Sequence, residues 1–297
     1  MSSFPITRRK FLAGSILAGA TGAYGLANYS RHIEPHELSI EQVELSLPRL
    51  VPELDGFKIA LLSDFHYGAY IEDLIKDAVA SANQANVDVA FLTGDFVSWR
   101  HDHGARGEQD ADACAAILSG LNAGLGKIAV LGNHDYAPRA QIVTEPLKAH
   151  GIHVLRNAAV PIEKNNSRIW IAGIDDALEG RPDLAAALKD VPKAEPAILL
   201  AHEPDFADVV RRYPVDLQVS GHSHGGQVRL PFVGAPILPE MGQRYPMGSY
   251  NFGNLQLYTN RGLGMISPRI RFNCAPELTL LTLRSPRAAA ATAASAY

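Results

Sequence analysis

The chain has 297 residues, 47% of them hydrophobic and 20% charged, and a formal net charge of −4. This composition supports one large core or two small ones and excludes global disorder, and the acidic balance argues against nucleic acid as a partner. Two cysteines, Cys114 and Cys274, exclude a disulfide framework; a single bond between them is one option and two buried thiols are the expected state.

The first segment, Thr7-Arg8-Arg9-Lys10-Phe11-Leu12, leads into an uncharged stretch from Phe11 to Ala27. The pattern resembles a twin-arginine export signal, with Ala13 where a lysine is usual. The alternative is an N-terminal membrane anchor with positive flanks. Residues 1–27 are accordingly set apart as signal or anchor. The expected partner is the twin-arginine translocase. The expected location is the periplasm or the outer face of the cytoplasmic membrane, where the membrane surface is a further partner.

Residues 28–35 read as a linker and 36–284 as one folded domain. Leu38, Ile40, Val43, Leu45 and Leu47 nearly alternate, which predicts an edge strand with a slip or bulge. Phe57–Leu62 and Val87–Leu92 are apolar runs that read as buried strands. Between them, apolar residues at 71, 74, 75, 78, 79 and 82 have helical spacing. Residues 99–110 read as a polar loop and Ala111–Leu121 as a helix. Lys127–Leu131 is a third strand, and Thr144–His150 a short helix before Gly151. Ile152–Leu155, Arg168–Ile174, Ala197–Leu200, Leu217–Val219, Val228–Leu230, Leu255–Thr259 and Leu278–Leu283 predict further strands, with a short helix at Leu184–Lys189. Apolar strands alternating with helices argue for an α/β layered domain, and the strand-rich second half for a second sheet. The alanine-rich stretch 285–297 reads as a disordered tail.

Several strands end in short turns carrying the same chemistry: Ser63-Asp64-Phe65-His66, Gly94-Asp95, Gly132-Asn133-His134-Asp135, Ala201-His202 and Gly221-His222-Ser223-His224-Gly225-Gly226. Asp, His and Asn hold divalent cations, and an α/β sheet gathers its functional groups at strand ends. Two cations side by side repel and need a shared anionic ligand, for which Asp95 is the candidate. In extended backbone the spacing of Asp64 and His66 points both side chains the same way, which predicts joint chelation of one ion. His222 and His224 repeat that spacing between glycines, while Asn133 offers a carbonyl oxygen and His202 an imidazole nitrogen. A mixed oxygen and nitrogen set suits manganese, iron or zinc better than calcium or magnesium.

This ordered set, spread from about Leu61 to Gly226, resembles the calcineurin-like metallophosphoesterases. The motifs His202-x-Pro204-Asp205, Arg261-Gly262-Leu263-Gly264 and Arg271-Phe272-Asn273-Cys274-x-Pro276-Glu277 are similar to its exported, envelope-associated YkuE/YaeI-like phosphodiesterases. Ser223 and Ala275 stand where threonine and proline are commoner. The resemblance implies a four-layer α/β/β/α sandwich with two mixed β-sheets and two divalent ions, manganese favoured. It places Asp64, His66 and His224 on the first ion, Asn133, His202 and His222 on the second, and Asp95 between them. A hydroxide held between the ions would attack phosphorus. His134 would protonate or stabilise the leaving oxygen, with Asp135 orienting its ring. Tyr67, His101, His103 and Arg261 are candidate substrate contacts at the rim.

The expected activity is therefore that of a phosphodiesterase or pyrophosphatase of the cell envelope, on a phosphate ester that is lipid- or nucleotide-linked. One alternative is a UDP-2,3-diacylglucosamine-type pyrophosphatase of lipid A synthesis, which would face the cytoplasm. An alternative of another class is a non-catalytic metal-binding envelope module.

Overall fold

The structure is a computed structural model that describes residues 8–68, 70–98, 105–136 and 140–286. Helix α1 (Arg8–His32) precedes strand β1 (Ser39–Ser46). Then come β2 (Phe57–Leu62), α2 (Glu72–Gln84), β3 (Val89–Leu92), α3 (Ala105–Ser119), β4 (Lys127–Ala129), α4 (Asn133–Tyr136), α5 (Ala140–Ala149) and β5 (His153–Val154). The second half runs through β6 (Ala158–Lys164), β7 (Ser167–Gly173), α6 (Leu184–Leu188), β8 (Ala197–Leu200), α7 (Ala207–Val210), β9 (Leu217–Ser220), β10 (Gly248–Asn251), β11 (Gln256–Thr259) and β12 (Glu277–Arg284).

Two six-stranded mixed sheets result, ordered β1-β12-β2-β3-β4-β5 and β10-β11-β9-β8-β7-β6. The period-two alternation of strands explains the layers. In β2, Ile59 and Leu61 point into a core shared with Ile171 of β7, Ile198 and Leu200 of β8 and Val219 of β9, so this core lies between the sheets. Ala60 and Leu62 point the other way, onto Leu74, Ile75 and Ala78 of α2 and Leu118 of α3. In the second sheet Ala197 and Leu199 pack outward against α6 and α7. The four layers follow, because each strand of the inner pair is apolar on both faces.

Chain reversal sets the mixed pairing. β2, β3 and β4 are parallel neighbours, as are β7, β8, β9 and β11. β12, the last strand, enters antiparallel to β2 and parallel to β1. β1 pairs with it in unbroken register from Ser39↔Glu277 to Ser46↔Arg284, so the edge strand has no bulge.

Other expectations change. The stretch 28–35 is not a free linker. Residues 28–32 complete α1, and a 3₁₀ turn covers Glu34–His36. The buried Glu34 carboxylate accepts the amides of Asn273 and Cys274 at 2.9 and 2.5 Å, and Arg271 N donates to Ser30 O at 2.9 Å. These bonds dock the end of α1 on the domain. Ala105–Asp110, read as part of a polar loop, already belongs to α3, where the strong helix formers Ala105, Arg106, Glu108 and Gln109 outweigh the lack of apolar periodicity. Val228–Leu230 is not a strand but two isolated bridges, Val228↔Phe272 and Leu230↔Gly234. β6 and β10 are additions to the expected strands. Both are edge strands, where a proline such as Pro161 and weak alternation are tolerated. Ser285 is tied down by Leu50 O and Asp55, so order reaches into the stretch read as tail, while 287–297 lie outside the described residues. Cys114 and Cys274 are both buried and free. Among the described residues no helix is long and apolar enough to cross a membrane.

Phe91 is fully buried in the core between the sheets. Phe91→Ala should cost about 3–5 kcal/mol, read as a lowered denaturant midpoint at unchanged slope.

Candidate active site

The parallel strands β2, β3 and β4 of one sheet and β8 and β9 of the other all carry ligand-type residues just past their C-terminal ends. Backbone bonds lace these turns together. Asp64 N donates to Gly94 O, His66 N to Asp95 O, and Gly221 N to His202 O. Close approach makes small residues obligatory. A Cβ on Gly132 would meet Asp95 Oδ1 and, at 2.6 Å, His202 Cε1; one on Gly221 would overlap Ser63 Oγ and Asp64 Oδ2.

The expectation of extended backbone for the Asp64/His66 pair is wrong in its detail. Asp64, His66, Asp95, His222 and His224 all have positive φ, from 42° to 69°. Non-glycine residues there are uncommon and cost energy, and such strain gathers at functional sites. The left-handed kinks turn these side chains inward from the strand ends.

They converge. Ligand atoms of Asp64, His66, Asp95 and His224 lie within 4.8 Å of one another, all four residues buried. His66 Nε2 faces His224 Nε2 at 3.0 Å and Asp95 Oδ2 at 3.4 Å, and His224 Nε2 stands 3.5 Å from Asp64 Oδ1. Around the other side of Asp95, His202 Nε2 approaches Oδ2 at 3.3 Å. The His202 and His222 rings stack edge-on with centroids 5.0 Å apart, and His222 Nδ1 is 3.1 Å from Asn133 Oδ1. All seven expected ligands thus meet in one place.

Two backbone carbonyls set the tautomers. His202 Nδ1 donates to Thr93 O at 2.6 Å, leaving Nε2 aimed at Asp95. His222 Nε2 donates to Glu240 O at 2.7 Å, leaving Nδ1 to ligate beside Asn133. Thr93 and Glu240 were not legible in the sequence, because any residue can supply a carbonyl.

Burial pushes the Asp64 carboxyl up to about 7, with the Asp95 charge adding to it and His202 opposing. Burial alone would raise Asp95 too, but the His202, His134 and His66 charges hold it well below the usual carboxylate range. Burial lowers His66 to about 3 and His222 to about 4, with neighbouring imidazoles adding to the shift. His202 moves the other way, well above its ordinary value, because Asp95 and Asp64 outweigh its burial. The arrangement fits cations. Imidazole nitrogens and carboxyl groups point at one another in a buried cleft, and the buried His202 Nε2 has no hydrogen-bond partner among the described residues.

His134 is half-buried at the edge of this cluster. Its amide donates to Asp95 Oδ1 at 2.9 Å and its ring stands edge-on to His66, centroids 4.7 Å apart. The expected role of Asp135 changes. Its fully buried carboxylate accepts the amides of Asp95, Phe96, Val97 and Gly132, so it clamps the Asp95 turn to the Asn133 turn rather than steering the His134 ring. Four amides satisfy its oxygens, while burial and the nearby Asp95 charge raise its pKa to about 8.

The rim expectations fare differently. Arg261 forms ion pairs with Glu277 at 2.7 Å and Glu41 at 2.6 Å. Tyr67 donates to Glu72 at the start of α2 at 3.1 Å, which ties that helix to the site loop. His101 and His103 lie outside the described residues. A residue without an assigned role proves central. Arg271 is fully buried and donates to the carbonyls of Arg261, Gly262, Gly264 and Cys274, and Gly264 N in turn donates to Asp64 O.

Paired mixed sheets with buried Asp and His ligands at their strand ends define a metal-binding phosphoesterase. The chain belongs to the calcineurin-like phosphoesterases, whose family pattern matches residues 57–226, and is a hydrolase acting on phosphate esters. It is 38% identical over 287 residues to the uncharacterized metallophosphoesterase YkuE of Bacillus subtilis, covering 94% of this chain and 98% of that protein. It is 34% identical over 288 residues to the phosphodiesterase YaeI of Escherichia coli, covering 94% and 99%. The UDP-2,3-diacylglucosamine pyrophosphatase LpxG of Chlamydia trachomatis is 28% identical over 308 residues, covering 85% and 91%.

Cation binding needs Asp64 ionised and His202 neutral, whereas burial and charge favour the opposite states in acid. Metal uptake at pH 6 should therefore release protons, and apparent affinity should climb as pH rises through about 7. Calorimetry in buffers of different ionisation enthalpy reads both; pH-independent uptake without proton release would refute it. Asp95→Ala should lose metal altogether, by elemental analysis of purified protein.

Proposed function

We propose that this protein is a phosphodiesterase or pyrophosphatase working at the cell envelope, with two divalent cations at the strand ends and manganese the favoured metal. The observation that carries the reading is the cluster of buried Asp and His ligand atoms with the half-buried His134 ring at its open edge. When bound, the cations supply Lewis-acid polarisation of the phosphoryl group and neutralise its charge. Asp64, His66 and His224 would hold one, Asn133, His202 and His222 the other, and Asp95 would be shared.

His134 does the proton work. Its amide bond to Asp95 Oδ1 fixes its position relative to the shared carboxylate. The ring meets both the cluster and solvent, so Nδ1 or Nε2 can give a proton to the departing oxygen and regain it from water. A purely structural metal staple would need no such half-open imidazole, and closed coordination is the usual mark of structural sites. That weighs against a non-catalytic envelope module.

Diester or pyrophosphate substrates are supported by the activities for which YaeI and LpxG are named. The LpxG relative also supports a lipid- or nucleotide-linked substrate. It favours, as a second reading, a UDP-2,3-diacylglucosamine-type pyrophosphatase with its N-terminus as an inward-facing anchor. Export by the twin-arginine translocase is supported by Arg8-Arg9 ahead of an uncharged stretch, and would deliver the domain already folded. Protease added to intact cells separates the two orientations, since only the exported domain is cut.

His134→Ala should keep its metal and lose roughly 10²–10⁴-fold of turnover on bis(p-nitrophenyl) phosphate with manganese. Unchanged turnover would remove His134 from the mechanism.

A further inference from the structure

Just past the ligand His224 the chain builds an unusual surface. Residues 230–234 close a tight turn, in which Leu230 N donates to Gly234 O and Gly234 N to Leu230 O, both at 2.9 Å. Phe232 sits at its tip with φ 67°, a conformation that costs energy for an aromatic residue. The strain displays the ring rather than hiding it. Phe232, Val233 and Ile237 are 109%, 70% and 80% exposed, and Leu230 is exposed beside them. A water-facing patch of this kind marks a binding surface.

Two hollows give the patch an address. A groove of 390 Å³ runs from His224 past Val228 to Ile237, Leu238, Ile266 and Ile270, almost wholly apolar. It therefore begins at a metal-ligand residue and ends at the exposed Ile237, just past the turn. A second hollow, of 530 Å³, joins Pro231 of the same turn to Tyr29 in the last part of α1. The uncharged stretch Phe11–Ala27 leads into that helix end. Glu34, Glu37 and Arg261 also line this second hollow. In sequence, Arg229 and Arg269 neighbour groove residues, and Arg31 lies in the last turn of α1. An apolar tip that shares a hollow with the end of α1 matches a bilayer surface.

We propose that the 230–238 turn dips into the membrane and that the groove receives the acyl chain of a membrane lipid whose phosphate ester is cut beside His224. This rests on the phosphoesterase reading and names its substrate class. His224 lines the groove, so an acyl chain lying in it would bring the attached phosphate beside that ligand residue. The α1 end and the turn meet the bilayer from one side.

Two measurements on the full, manganese-loaded chain decide it. A Phe232→Trp variant, read against the parent's own tryptophan emission, should shift to the blue and be quenched by vesicles of phosphatidylglycerol with brominated acyl chains. Dodecyl p-nitrophenyl phosphate should show a KM roughly tenfold or more below that of methyl p-nitrophenyl phosphate, and Ile237→Asp should erase the gap by raising only the dodecyl value. Absence of quenching in the Phe232→Trp variant overturns membrane docking, and equal KM values for the two esters overturn the acyl groove. Neither result touches the phosphoesterase reading, which fails only if neither ester is hydrolysed; in that case quenching of the introduced indole still decides the docking.

Discussion

Two carboxylates and a set of imidazoles are buried together at one edge of the sandwich, and little in the site makes sense apart from the cost of that burial. Asp64 and Asp95 compete for the same imidazoles, and the outcome is unequal: Asp95 keeps its charge through His202, while Asp64 is driven toward the neutral form. Buried charge without a partner is expensive, and a cation relieves it for every member at once. The electrostatic frustration of the cluster and its affinity for metal are the same property.

Holding such groups together requires a rigid frame, and three devices supply it. Left-handed backbone at five of the ligands turns them off the strand ends. The Asp135 carboxylate gathers amides from the turns after β3 and β4. Arg271, buried where a guanidinium is rare, ties four carbonyls and through Gly264 fixes Asp64. Each satisfies buried polar groups that would otherwise oppose folding, so site geometry and fold stability are coupled. The half of the site on β2, β3 and β4 and the half on β8 and β9 face each other only because the core between the sheets sets their separation.

His224 lines one end of the apolar groove, and Pro231 of the displayed turn shares a hollow with Tyr29 at the docked end of α1. A phosphoesterase that takes its substrate from a bilayer needs its metal cleft, an apolar channel and its membrane contacts to share one face. That sharing is a property of the tertiary arrangement, since Tyr29, His224 and Phe232 are far apart in the chain.

Strand identity was legible where the pattern was strong: β2 and β8 fall at the residues their apolar runs marked, and the ligand residues announced themselves by type and by their turns. Edge strands β6 and β10 were hidden, because an edge strand needs only one partner and tolerates proline and weak alternation. Asp135 was visible as a residue and misjudged in its role, since sequence adjacency to His134 said nothing about three amides arriving from the Asp95 turn. Arg261 was visible too, but not its ion pairs with Glu41 and Glu277. By itself, then, the sequence determined which segments are apolar on two faces and which side chains can bind a cation, because both are local chemistry. Only the tertiary structure decided tautomers, positive-φ kinks, the clamp, the Arg271 buttress and the groove beside His224, because each depends on atoms that long-range packing brings within hydrogen-bond or van der Waals reach.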